Sequence, residues 1–140
     1  MSTSPIDQAD RTVPGGATVS LVGVVDDDES VRDALSSLLR SAGYKCAVFS
    51  SAEAFLASGS LDQTDCMVLD VRMPGLSGPE LQARIRESSK AVPVIFVTGN
   101  ADEELRTKAM RDGAIAFLNK PFSDEDLLDA IRAVLDPPAN

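Results

Sequence analysis

Five short apolar runs alternate with five stretches of helical periodicity, and that alternation constrains the fold more than any other feature. The runs are SLVGVV at 20–25, KCAVF at 45–49, CMVL at 66–69, PVIFV at 93–97 and AIAFL at 114–118. Residues 29–42 place Val31, Ala34, Leu35, Leu38, Leu39 and Ala42 at helical spacing, and Gly43 closes that helix. Ser51 caps a short helix carrying Ala54, Phe55 and Leu56. Residues 78–88 are helical with Pro79 in the first turn, residues 102–112 are helical up to Gly113, and residues 123–135 are helical with Ser123 as cap and Asp126 three residues on. The strand-type runs are apolar throughout rather than alternating, so both sheet faces are expected to be covered. Right-handed crossovers then give an α/β fold, a five-stranded parallel sheet with helices on both faces. Residues 1–18, poor in large apolar side chains, are expected to be a disordered tail. The folded body is expected over 19–136, with 137–140 a short C-terminal tail.

In such sheets ligands bind beyond the carboxyl ends of the strands, where the strand order reverses. Here the first run leads into Asp26-Asp27-Asp28 and the third into Asp70, the fourth ends at Thr98, and the fifth runs, one residue later, into Lys120-Pro121. Each group has an ordinary alternative: Asp27 or Asp28 as a helix cap, Asp70 as a turn opener, Lys120 as a solvated charge. Four strand ends contributing complementary groups point instead to a site. Clustered carboxylates repel and call for a cation. A hard ion such as Mg²⁺ is suited to them, and Lys120 supplies a second positive charge that pairs with Asp70 at rest. A carboxylate so placed can attack a phosphoryl group, while Lys120 and the Thr98 hydroxyl stabilise its oxygens.

Composition narrows the alternatives. The 140 residues contain no histidine, which excludes His-dependent nucleophilic catalysis, His-ligated metals and a phosphohistidine on this chain. The net charge of −9 argues against direct nucleic-acid binding. Cys46 and Cys66 are too few for a zinc site or a disulfide framework and read as reduced thiols in strands, consistent with a cytoplasmic protein. No apolar stretch is long enough for a membrane span.

The runs VVDDDESVRDAL, MVLDVRMPGLSG, VIFVTGNAD and GAIAFLNKPF, in this order over about 20–135, resemble the receiver domain of two-component response regulators. The resemblance implies a doubly wound, flavodoxin-like sheet in strand order 2-1-3-4-5. Asp70 would be the phospho-acceptor, supplied by a sensor histidine kinase or a histidine phosphotransfer protein. Asp26, Asp27, Asp70 and the Arg72 carbonyl would hold Mg²⁺. Thr98 would be the switch hydroxyl, Phe117 the aromatic switch (or simply a core strand residue), and Lys120 the lysine before a cis proline, Pro121. Arg72 and Asn100 would tune the lifetime of the phosphate. Phosphorylation would reshape the surface of the fourth helix, fifth strand and fifth helix toward a downstream protein target, or toward a second copy as a phosphorylation-dependent homodimer. Receivers of this flavour are usually fused to a helix-turn-helix output. With the sequence ending at Asn140, a stand-alone regulator is the expectation. It would turn over no separate substrate and so would not be an enzyme in the usual sense. Two other readings compete: a small haloacid-dehalogenase-type phosphatase using Asp26 within Asp26-Asp27-Asp28-Glu29-Ser30, and a docking module that is never phosphorylated.

Overall fold

In the computed structural model, which describes residues 19–88, 90–99 and 103–135, the strands are β1 (Leu21–Val25), β2 (Lys45–Phe49), β3 (Cys66–Asp70), β4 (Val94–Thr98) and β5 (Ala116–Asn119). All pair in parallel, in the order β2-β1-β3-β4-β5. The helices are α1 (Glu29–Ser41), α2 (Ala52–Ser58), α3 (Gly78–Glu87), α4 (Glu103–Arg111) and α5 (Asp124–Leu135). The fold class and strand order expected from the sequence are those observed. The expected terminal tails lie outside the described residues.

Side chains alternate between the two faces of each strand, and the apolar runs fill both. Val22, Val24, Cys66, Val68, Ile95 and Val97 face α1 and α5, where Leu35, Leu39, Leu127 and Ile131 complete one buried layer. Val25, Met67, Leu69, Val94, Phe96 and Phe117 face the other way, against Phe55 of α2, Leu81 and Ile85 of α3 and Ala109 of α4. Burying each such Leu or Phe fully contributes about 1.5–3 kcal/mol. Both layers therefore hold the strand ends in fixed register.

The expectation of full cover holds for β1, β3 and β4. It fails at the edge, where β2 is only half-buried and Val48 is 42% exposed. Cys66 is buried as expected, whereas Cys46 on that edge strand is partly exposed; both are free thiols. Burial pushes the Cys66 thiol up to about 12 and raises that of Cys46 as well.

Several boundaries shift for local reasons. The fifth strand begins at Ala116 rather than 114, because the Ala114 N–H still donates to the Ala109 carbonyl at the end of α4. Pro93 lies before β4, and its carbonyl accepts the Met67 N–H. Asp70 is the last residue of its strand rather than the first beyond it, and Thr98 ends the fourth strand as expected. A 3-10 turn at Ser60–Gln63 is not foreseen by periodicity. The caps follow local chemistry: Ser51 Oγ accepts the Ala54 N–H, and Ser123 Oγ the Asp126 N–H. Among the described residues, no helix is long and apolar enough to cross a membrane.

Candidate functional site

The chain crosses from β1 outward to β2 and then back to β3, so strand order reverses between β1 and β3. Asp26 and Asp27 follow β1 and Asp70 ends β3, placing three carboxylates at that crevice. One oxygen from each of the three lies within 4.8 Å of the others.

Asp26 is the best-anchored member, at 1% exposure. Its Oδ1 accepts the Asp28 N–H at 2.9 Å, and its Oδ2 accepts from Lys120 Nζ at 3.0 Å. Its backbone is held too: the N–H donates to the Phe49 carbonyl at 3.1 Å, and the carbonyl accepts Arg32 Nη1 at 2.7 Å. Asp27 is exposed. Asp28 is the cap of α1, accepting the Ser30 and Val31 N–H groups, which takes it out of the site.

Asp70 is buried and lightly held. Its Oδ1 accepts the Arg72 N–H at 3.4 Å, and its Oδ2 lies 3.8 Å from Lys120 Nζ. The expected resting pair of Lys120 with Asp70 is present at 3.8 Å, but the ammonium sits closer to Asp26, at 3.0 Å, the more deeply buried carboxylate, whose charge has the greater need of a partner. Burial and the neighbouring Asp26 push the Asp70 carboxyl up to about 6, against the opposing pull of Lys120 and the Arg72 N–H, with Asp27 adding a smaller push.

The remaining expected residues fall as follows. Thr98, 1% exposed, ends β4 beside Asn119 of β5, and its carbonyl accepts the Lys120 N–H at 2.6 Å. The Lys120–Pro121 peptide is cis, as the resemblance implies. Phe117 is turned inward, 9% exposed, with its ring 6.1 Å from that of Phe96. The Arg72 residue is exposed. Asn100 lies outside the described residues.

Residues missed in the sequence also shape the site. Gly78 begins α3, and its N–H donates to the Val71 carbonyl at 3.1 Å. A Cβ at Gly78 would run into the Asp70 carbonyl oxygen, so only glycine lets the helix close on the strand end. Ser77 and Glu80 form a capping box at that helix start, a signal the S-x-x-E spacing carries. Arg32 and its bond to the Asp26 carbonyl have no comparable signal.

The donor set consists of carboxylate oxygens, and burial together with the neighbouring Asp26 opposes ionisation of Asp70. That is the chemistry of a site for a hard dication such as Mg²⁺, and the residues present fit one.

Comparisons with known proteins bear on this geometry. The model of the response regulator receiver domain matches residues 22–132. The chain is 47% identical to the response regulator protein TmoT of Ectopseudomonas mendocina, over 83% of this chain and 53% of that protein. It is 44% identical to nodulation protein W of Bradyrhizobium diazoefficiens, over 86% of this chain and 53% of that protein. Among solved structures it resembles the response regulator StyR, with a TM-score of 0.78 and 47% identity over 84% of this chain and 60% of that one. It also resembles FixJ-N, with a TM-score of 0.76 and 33% identity over 89% of this chain and 99% of that one. The chain spans about half the length of the curated relatives it matches.

Proposed function

Because this chain belongs to the response regulator receiver domain family, we propose that it accepts a phosphoryl group on Asp70 from the phosphohistidine of a sensor histidine kinase or phosphotransfer protein. The observation that carries this reading is the convergence of Asp26, Asp27, Asp70 and Lys120 at one strand-order switch point.

Asp26, Asp27, Asp70 and the Arg72 carbonyl would hold Mg²⁺. The ion, when bound, neutralises the carboxylates and the charge on the transferring phosphoryl oxygens. Asp70, not Asp26, is the nucleophile. Both Asp26 oxygens are already engaged, by the Asp28 N–H and by Lys120, while Asp70 has only long contacts. As the Asp70 Oδ–phosphorus bond forms, the phosphorus–nitrogen bond of the donor breaks and the imidazole leaves with the electron pair. Lys120 stands beside the acceptor and pairs with the added charge.

The signal then leaves the site through the backbone neighbours. The Thr98 hydroxyl donates to the new phosphoryl oxygens, and Phe117, already turned inward at rest, repacks into the space Thr98 vacates. The surface of α4, β5 and α5 shifts population and is read by a downstream protein. Arg72 covers the phosphoryl group and, with Asn100, sets how long it survives.

The experiment is intact mass after incubation with acetyl phosphate, with and without Mg²⁺, for wild type and Asp70→Asn. The expected result is one phosphoryl-sized gain that requires Mg²⁺ and is lost in Asp70→Asn. A gain that survives in Asp70→Asn contradicts the reading, as does no gain at all.

A further inference from the structure

We propose that Glu53 is a positioning residue for the Mg²⁺ and phosphoryl site, because its carboxylate clamps the loop that leaves Asp70. The inference rests on the function proposed above.

The loop runs from Val71 to Ser77 and starts at the acceptor. Its Arg72 N–H touches Asp70 Oδ1, and the Arg72 carbonyl is the one backbone group assigned to the metal. The base of the loop is closed by the Gly78 N–H on the Val71 carbonyl. Met73, at 9% exposure, anchors its first half in the core. The far half, Pro74-Gly75-Leu76, lies over α2. There the Leu76 N–H donates to Glu53 Oε2 at 2.8 Å, across 23 residues of chain.

Gly75 is built around the same carboxylate. It has φ of 78°, and a Cβ there would come within 2.5 Å of Glu53 Oε2. The glycine thus leaves the space that Glu53 fills, and two neighbouring loop residues converge on one side chain.

Glu53 stands on a rigid base. Ala52 and Phe55, its neighbours on α2, are fully buried, and the Phe55 ring meets Phe49 edge-on at 5.2 Å. The Phe49 carbonyl in turn accepts the Asp26 N–H. One short segment therefore supports Asp26 on one side of the site and, through Glu53, the loop after Asp70 on the other. An acidic residue in the first turn also favours the helix itself. A stability loss alone therefore does not separate the two roles, but Mg²⁺ affinity does.

The test is Mg²⁺ titration of the full chain, followed by amide chemical shifts, for wild type, Glu53→Ala and Glu53→Gln, with melting temperatures and acetyl phosphate uptake recorded in parallel. Loss of one charged hydrogen bond should weaken Mg²⁺ binding about fivefold in Glu53→Ala. Gln keeps an acceptor for the Leu76 N–H, so Glu53→Gln should stay within about twofold of wild type. Equal Mg²⁺ affinity in wild type and Glu53→Ala overturns the clamp, whatever the melting temperatures. So does a Glu53→Gln protein as weak as Glu53→Ala, or a wild type that binds no Mg²⁺. If wild type binds Mg²⁺ yet takes up no phosphoryl group, the proposed function fails while the clamp is still judged on the Mg²⁺ affinities.

Discussion

Lys120 Nζ bonds the Oδ2 of Asp26 at 3.0 Å and leaves Asp70 the longer approach of 3.8 Å. The lysine thus compensates the carboxylate that cannot reach water and leaves the acceptor under-compensated. An acceptor that is poorly paired at rest gains most when cations gather around it.

Asp70→Asn should stabilise the metal-free protein. The folded-state carboxyl, at about 6, is harder to ionise than the ordinary 3.8 of an unfolded chain. Its contribution is therefore fully present below about 3.8 and is lost as pH rises through about 6. The variant has no such loss. With EDTA present, the stability difference should be small at pH 4 and reach about 3 kcal/mol above pH 7. Urea denaturation at a series of pH values reads it, and saturating Mg²⁺ should narrow the gap by stabilising wild type more.

Lys120→Ala removes the partner of a carboxylate that is 1% exposed. Leaving that charge unpaired should cost about 2 kcal/mol in EDTA, with the loss partly recovered as Mg²⁺ is added. Denaturation midpoints with and without Mg²⁺ check this. Equal losses in both conditions would mean that Lys120 and the metal do not share the same charges.

The chain's architecture is legible because two-sided burial writes itself as apolar runs: CMVL and VIFV announce central strands, and their polar ends announce Asp70 and Thr98. The site's charged inventory is legible for the same reason, since a charge that ends an apolar run has few bland explanations. What stays hidden depends on distance between elements. Nothing in the chain order says that Lys120 prefers Asp26 to Asp70, because burial decides that preference and burial is set by packing. Arg32 reaches the Asp26 carbonyl and Glu53 reaches Leu76 across loops whose shapes have no periodicity. The start of β5 is misplaced by two residues because Ala114 is apolar yet still completes the end of α4.

Gly78→Ala should be costly although the residue opens a helix, where alanine is ordinarily the better choice. The added methyl meets the Asp70 carbonyl and the Phe96 ring. A loss of about 1–3 kcal/mol is expected, read by urea denaturation. A neutral or stabilising result would mean that α3 can back away from β3 without penalty.

Arg72→Ala should shorten the life of the phosphorylated protein. The residue is exposed and lies two positions after Asp70, the last residue of β3, so its side chain is free to lie over the phosphoryl group. The decay rate after removal of acetyl phosphate, followed by intact mass, should rise severalfold, while Mg²⁺ affinity stays close to wild type because the carbonyl is kept. An unchanged decay rate would remove Arg72 from the account of phosphate lifetime.

The central claim, that Asp70 is the acceptor, is tested most directly by locating the bond. Borohydride reduces an aspartyl phosphate to homoserine, and peptide mass mapping then reports the position. The account predicts homoserine at position 70 alone, formed only when Mg²⁺ and acetyl phosphate are both supplied. Homoserine at position 26 would contradict it and return the nucleophile to the end of β1.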